Sequence, residues 1–411
     1  MIYMQQLPGF EQYGPNGEPM VCLLKKAIYG LKNSGRLWQQ THTRALLANG
    51  FVQCQEEHAL FRKKSGGGDV VYMLVNVDNL YTAASSEVMR KAEIAALQDI
   101  FQLNDLGPVE YTLGVRVRQN PSTFTTTLDQ EQYILAIAKK FLGDQSPPRK
   151  RTVPCDPTIE DISPLAADDP EAIKWRKPCL RLGGSIGWVA NFTRMDLAYA
   201  LNRCMRCSAG ASEALYRRLV SILEFAVATA SRKLTAGRNA DTSLRQLVVE
   251  EAADIRLDVF RSGDPITFVD TGGGPKAMQC SYTFLFGMPC IVRVSQLTST
   301  ALSVCESEWF GATTGATALQ AMEPVLAFLD VDYGKPMLIF CDNKAAVMLS
   351  DSNHTTKRMR HVATRLAYLQ EQVSEGRIAL VHIGTKGNIA DMGTKPLPAR
   401  TFHYLASFAW S

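Results

Sequence analysis

The sequence predicts a mixed α/β chain, α+β in overall arrangement, with more than one hydrophobic core. Three observations carry that expectation. At 411 residues, with 46% hydrophobic and 9% aromatic content, the chain holds more apolar mass than one core uses, so two or three domains are expected. Strand-like and helix-like patterns alternate at both ends of the chain. Between them, 182–234 reads as helix alone, with Leu215, Leu219, Ile222 and Ala226 at helical spacing, the pattern of a packed hairpin.

Taken in order, 33–49 is helical, and the segments near 59–63 and 69–84 alternate or run apolar like strands, with Gly66-Gly67-Gly68 as a hairpin turn. The segment 86–101 is helical, with Met89, Ile94, Leu97 and Ile100 on its apolar side. Two strands, 109–118 and 123–128, lead into a helix over 129–142, with Asp129 as its N-cap and Gly143 as its stop. Residues 145–169, rich in Pro, Asp and Ser, read as an extended linker, and helices follow over 182–206 and 212–234. A peripheral helix is expected within 235–262. From 264 to 403 the order is strand, hairpin, long helix (303–328), strand, helix, helix, strand, helix. The domain expectation is 1–143, a linker over 144–181, a helical connection over 182–262, and a sheet-containing domain over 263–411.

Composition excludes some functions. Lys and Arg total 44 against 40 for Asp and Glu, so charge matters only where it is local. It clusters at Lys25, Lys26, Lys32 and Arg36, and again at Lys357, Arg358, Arg360 and Arg365. The ten cysteines are scattered apart from Cys204 and Cys207, which lack a second Cys or His pair nearby. They read as buried thiols of a reducing intracellular compartment, cytoplasmic or nuclear, not as a zinc site. No secretory pattern opens the sequence, and no apolar run approaches about 18 residues, so neither secretion nor a membrane span is expected. The basic run Arg149-Lys150-Arg151 reads as a solvated linker before it reads as an import signal.

Four acids carry most of the functional information. Asp270 ends the apolar run Ile266-Thr267-Phe268-Val269, and Asp342 ends Met337-Leu338-Ile339-Phe340-Cys341, two buried-strand patterns. Glu308 lies in the first turns of the long helix, and Asp391 lies in a short segment before Pro396. Strand ends and helix starts hold side chains rigidly, and a sheet with helices on both faces brings the ends of the two strands together. A convergent set of hard oxygen ligands is what Mg²⁺ or Mn²⁺ needs to bridge a phosphodiester. Any one of these acids alone reads as a surface charge or a cap.

With their surroundings, these acids resemble the ribonuclease H domain of copia-type long-terminal-repeat retrotransposons. The matching strings are Cys305-Glu306-Ser307-Glu308-Trp309, Cys341-Asp342-Asn343-Lys344-Ala345 and Ala390-Asp391-Met392-Gly393-Thr394-Lys395-Pro396, with the hairpin Tyr282-Thr283-Phe284 followed by Val292-Arg293-Val294 upstream. The resemblance implies a ribonuclease H-like sheet with helices on both faces, and makes Asp270, Glu308, Asp342 and Asp391 catalytic metal ligands. It implies an RNA–DNA hybrid or other nucleic acid as partner, together with other products of the same polyprotein. Asn343, Lys344, Lys357, Arg358, Arg360, His361 and Arg365 belong on its substrate side, where cations contact phosphates without reading sequence. After Asp270 this chain departs from the family, with Thr271-Gly272-Gly273-Gly274-Pro275-Lys276 in place of a longer polar run. The loop 384–388 lacks the histidine that many ribonucleases H carry, leaving Lys386 there.

The front resembles the matching reverse transcriptase, as a partial palm and thumb. Ile2-Tyr3-Met4-Gln5-Gln6-Leu7-Pro8-Gly9-Phe10, Leu24-Lys25-Lys26-Ala27-Ile28-Tyr29-Gly30-Leu31-Lys32 through Arg36-Leu37-Trp38, and Asp105-Leu106-Gly107-Pro108 carry the likeness. The apolar hairpin around Asn76-Val77-Asp78-Asn79 stands where the family has Tyr-Val-Asp-Asp, so Asp78 fits one polymerase acid and Asn79 replaces the next. A third family acid lies upstream of the Tyr-Met-Gln-type segment, and the sequence starts later than that. One carboxylate and an amide supply one negative charge where the family supplies three, so polymerisation is not expected. The late start also predicts that the strand near 70–77 lacks a neighbour on one side. Two readings stay open: a ribonuclease H-type endonuclease, or a catalytically inactive relic or nucleic-acid-binding module.

Overall fold

The computed structural model describes residues 2–143, 149–237, 239–252, 260–274, 277–298, 301, 303–350 and 363–411. The chain divides into two units, Met1–Gly107 with Pro324–Val331, and Pro108–Glu323 with Asp332–Ser411. The mixed α/β class holds in both.

In the first unit, β1 (Tyr3–Gln5) and β2 (Val21–Leu23) form an exposed two-stranded ribbon. After α1 (Ser34–Ala48) come β3 (Val52–Gln53), β4 (Leu60–Lys64), β5 (Val70–Asn76) and β6 (Asn79–Ala84), an antiparallel sheet in that order, and then α2 (Glu87–Gln98). Along β5 the residues Val71, Met73 and Val75 are buried while Leu74 is exposed, the period-2 pattern of a strand with one face on a core. That face meets Leu46 of α1 and Leu97 of α2. Helix α2 starts where Ser86 Oγ accepts from Met89 N. The expectation of an unpartnered β5 is overturned: β5 lies between β4 and β6, and the edges among the described residues are β3 and β6.

The second unit opens with β7 (Tyr111–Thr112), β8 (Val115–Asn120), β9 (Thr125–Asp129) and α3 (Glu131–Leu142). Asp129 is not the N-cap of α3, a position that Gln130 holds. Its carboxylate is taken by Arg116 and Arg118 of the neighbouring strand, each at 3.0 Å, although it also accepts from Glu131 N. Helix α4 (Pro170–Phe192) begins well before the expected 182, because Asp169 caps it and Pro170 suits its first turn. The single helix expected over 182–206 is two, since the chain turns at 193–197 before α5 (Ala198–Met205). Then come α6 (Glu213–Ala228), capped by Ser212, β10 (Leu234–Gly237) and α7 (Thr242–Glu251). Strand β10 pairs with β9, so residues on both sides of the expected linker share the sheet β10-β9-β8-β7.

The turn at 193–197 holds a buried charge. Arg194 is fully buried and forms a bidentate pair with Asp196 at 2.9 Å, while Arg232 reaches the same carboxylate at 2.7 Å. Burial alone would raise the Asp196 pKa, but the two guanidinium groups hold it below its ordinary value. Around the turn, Trp410 donates to Thr193 O and Tyr282 to Met195 O.

The last part carries β11 (Ile266–Thr271), β12 (Met278–Leu285), β13 (Met288–Gln296), α8 (Val304–Phe328), β14 (Met337–Cys341), α9 (Lys344–Ser350), α10 (Ala363–Ser374), β15 (Ile378–His382) and α11 (Ala399–Ala406). Their strands form one sheet in the order β13-β12-β11-β14-β15, antiparallel through β11 and parallel from β11 to β15. Alternation along β11 sends Ile266 and Phe268 to one face and Val269 to the other. The first face joins a core with Leu182, Leu219, Phe225 and Phe402, and the second packs on Trp309, Leu319 and Leu366. Helices therefore cover both faces, as the ribonuclease H-like arrangement implies. Among the described residues, no helix is long and apolar enough to cross a membrane. All ten cysteines are free, and burial lifts the Cys204 thiol to about 12.

Candidate metal centre

The four acids of the second unit come together through four separate local structures. Asp270 is the fifth residue of β11, and Asp342 follows β14 directly. Because β11 and β14 are parallel neighbours, with Val269 opposite Cys341, the two aspartates leave the sheet side by side. Glu308 lies in the second turn of α8. That helix closes on β11 because Gly311 and Gly315 face it. A Cβ on Gly311 would lie 2.9 Å from Thr271 Oγ1, and one on Gly315 would lie 2.8 Å from Val269 Cγ1. Asp391 sits in the 3₁₀ turn Ile389–Gly393, which Asn388 ties down by donating to Val269 O at 3.0 Å and accepting from Ala390 N.

The result is one cluster. Single carboxylate oxygens of Asp270, Asp342 and Asp391 all lie within 4.8 Å of one another, and ligand atoms of Glu308, Cys341 and Asp342 do likewise. Asp270, Glu308 and Asp391 are each at most 4% exposed. Burial, and then repulsion from Asp270 and Asp342, push the Glu308 carboxyl up to about 9. Asp342 and Asp391 are raised by the same causes, burial first and the Asp270 charge second. Two neighbours moderate the charge. Thr394 Oγ1 donates to Asp270 Oδ2, and Lys395 Nζ lies 2.7 Å from Asp391 Oδ1 and 3.8 Å from Asp270 Oδ2.

The donor chemistry fits a hard divalent ion. Four carboxylates crowd a small buried volume, and Lys395 balances only part of their charge. Cys341 Sγ approaches Glu308 Oε2 at 3.7 Å, but burial holds its thiol well above the ordinary value, so it stays neutral. Soft-metal ligation by that sulfur is disfavoured relative to Mg²⁺ or Mn²⁺ on the oxygens.

The other expected residues fall differently. Asn343 accepts from Ala346 N at 3.0 Å and so caps α9, while Lys344 is exposed beside it. Arg365 lies over the Phe310 ring, 3.9 Å from its centroid, a packing contact along the guanidinium face. Lys357, Arg358, Arg360 and His361 lie outside the described residues. Lys32, Arg36, Asp78 and Asn79 belong to the first unit, where Lys32 and Arg36 are exposed. There Asn76 and Asn79 close the β5–β6 hairpin over Val77 and Asp78. Val77 has φ 54, which a β-branched residue seldom adopts, and its carbonyl accepts from Trp38 Nε1 at 2.7 Å. Asp78 accepts from Tyr29 OH at 2.9 Å and takes part in no metal-competent group among the described residues. Sequence reasoning missed Thr394 and Lys395. Their signal was spacing, three and four residues after Asp391, which brings both back over the turn.

The family described as reverse transcriptase (RNA-dependent DNA polymerase) matches residues 1–153. A retrovirus-related Pol polyprotein from transposon RE1 of Arabidopsis thaliana is 27% identical over 407 residues, covering 99% of this chain and 26% of that protein. The corresponding polyprotein from transposon TNT 1-94 of Nicotiana tabacum is 23% identical over 411 residues, covering 98% of this chain and 29% of its own length. The chain thus spans about a quarter of the length of the curated relatives it matches. Among solved structures, LC11-RNase H1 in complex with an RNA/DNA hybrid is 15% identical, with a TM-score of 0.24, covering 32% of this chain and 94% of that chain. The N-terminal RNase H domain of a Mycobacterium tuberculosis protein fused to maltose-binding protein is 12% identical, with a TM-score of 0.25, covering 36% of this chain and 98% of that chain.

Proposed function

We propose that this chain, similar to part of the retrotransposon Pol polyproteins and resembling the copia-type reverse transcriptase and ribonuclease H, is a metal-dependent endonuclease that cuts the RNA strand of an RNA–DNA hybrid. The observation that carries this reading is the gathering of Asp270, Glu308, Asp342 and Asp391 at one end of a sheet, on four elements that fix them. Divalent ions held by these carboxylates would supply Lewis-acid activation of the phosphodiester and of a water nucleophile. The chain's own residues supply the rest. Asp270 and Asp342 hold the centre from adjacent strand ends, while Glu308 and Asp391 close it from the helix and the 3₁₀ turn. Thr394 fixes the Asp270 carboxylate through its hydroxyl. Lys395 offsets negative charge from the side of Asp391.

Polymerisation is not part of this reading. The β5–β6 hairpin offers Asp78 beside the neutral Asn79, one negative charge where two ions and a triphosphate need several. Nucleic acid is the partner in either case, and other products of the same polyprotein are candidates for association. The test is cleavage of a labelled hybrid with Mg²⁺ or Mn²⁺ by the full chain and by Asp342→Asn, which removes charge and keeps shape. The substitution should cut the rate by more than the roughly 10- to 100-fold typical of losing an outer-sphere partner. Cleavage that survives Asp342→Asn would end the nuclease reading. A chain that binds hybrids and never cuts them would be the inactive binding module.

A further inference from the structure

A cavity of about 1110 Å³ opens beside the acid cluster, and it is not lined by the four acids themselves. Thr394 and Lys395, which touch Asp270 and Asp391, form one side of it. Arg203 and Arg206 also line it, one in the last turn of α5 and one just past it. Gly272, Gly273 and Gly274 line the remainder, and Gly273 and Gly274 have nothing within 4 Å of where a Cβ would stand. That stretch of backbone, which in sequence looks like drift from the family, leaves open room directly after Asp270.

Among the described residues the arginines divide: some are matched to carboxylates, and others, such as Arg176 and Arg245, donate to main-chain oxygens instead. Arg217 and Arg218 of α6 pair with Glu213 and Asp156, and Arg116, Arg194 and Arg232 are likewise matched to carboxylates. Among the described residues, neither Arg203 nor Arg206 has a carboxylate partner. Arg203 donates from Nη2 to the main-chain oxygen of Glu160 at 3.1 Å, and its buried Nε has no hydrogen-bond partner. Arg206 donates to the Gln296 amide oxygen and to Met278 Sδ. The nearest acid in the cavity wall, Glu160, accepts from Tyr199 OH at 3.0 Å. Two guanidinium groups without anions, facing an open volume next to a phosphodiester-cutting centre, are placed for a polyanion.

We infer that this cavity binds the sugar-phosphate backbone of a nucleic-acid strand running on from the bond held at the acids, with Arg203 and Arg206 as its phosphate contacts. The inference rests on the nuclease reading and deepens it: the helical connection becomes part of the substrate site. Recognition there is independent of base sequence, because guanidinium groups meet only phosphates.

The experiment measures binding of a short RNA–DNA hybrid by fluorescence anisotropy over a range of salt, using the full chain carrying Asp342→Asn so that cleavage does not intervene. Adding Arg203→Ala and Arg206→Ala together should weaken binding about tenfold and lower the salt slope by about 2, close to one per lost phosphate contact. Arg206→Glu alone, at an exposed position, should weaken binding with an unchanged melting temperature, which covers the case in which the double variant folds poorly. Arg217→Ala, on α6 and paired to Glu213, should change neither quantity. Hybrid binding that ignores both arginines, with cleavage by the parent chain intact, would overturn this inference and leave the nuclease reading standing. A parent chain that neither binds nor cuts hybrids would overturn both.

Discussion

The family resemblance marks acids in two places, and they differ in how the fold treats charge. At the β5–β6 hairpin, Asp78 projects from a turn into the open, accepts one hydrogen bond from Tyr29, and has an amide for its neighbour. At the end of the five-stranded sheet, four acids are drawn together, three of them almost wholly buried, with Lys395 against them. A buried like-charge cluster costs stability unless something opposes its charge, whereas an exposed lone aspartate costs almost nothing to keep. The difference is that the fold combines burial and repulsion at the cluster and imposes neither at the hairpin.

The contrast can be broken most severely through the frame that carries the acids. Arg194→Met would leave Asp196 buried with only Arg232, and a loss of about 3–5 kcal/mol is expected, read from the urea midpoint. A loss within experimental error would show that the buried pair is not what locks the turn at 193–197. Next in size is the response to metal. Mg²⁺ at 100 times its Kd should stabilise the parent chain by about 2.7 kcal/mol, and should do little for Asp342→Asn. Asp78→Asn should keep the full response, and if it abolished the response instead, the hairpin and not the cluster would be the metal site.

The pH dependence sharpens the same point. Glu308 titrates at about 9 in the folded chain against an ordinary 4.5, because burial and the neighbouring aspartates disfavour its charge. The native state then holds more protons than the unfolded state between those values, so metal-free stability should fall as pH rises from about 4.5 to about 9. Melting temperatures in chelator across that range check it. Glu308→Gln should flatten the profile, and a stability that climbs with pH would contradict the account. Smallest is the hairpin itself: Asp78→Asn should shift stability by no more than about 0.5 kcal/mol, as for other exposed sites.

Much of the candidate site was legible in the sequence because it depends on short-range patterns. Ile266 to Val269 and Met337 to Cys341 read as buried strands, and each delivers its aspartate at the end the run predicts. What the sequence hid depends on long-range packing. Lys395 stands four residues after Asp391, but that spacing alone does not say that its amine enters the cluster, where the fold places it 2.7 Å from Asp391 Oδ1. Arg194 sits in a helical-looking stretch, and nothing local tells a buried arginine from a solvated one. Asp129 has the right residue type and position for a cap, yet two arginines on the adjacent strand compete for it and win. The neighbours of β5 were misjudged because strand pairing is chosen by the whole sheet, and β4 and β6 suffice.

The apolar face shared by Phe268, Phe284 and Phe340 with Leu219 and Phe225 also limits how this chain can be dissected. A fragment beginning near residue 263 would keep all four acids and every strand of the five-stranded sheet, but would bare three phenylalanines to water. Such an excised fragment is a poor vehicle for assays, prone to self-association. For the same reason, rearrangement that moved the sheet to a new host protein would have to carry the preceding helices along, as inherited baggage of its solubility.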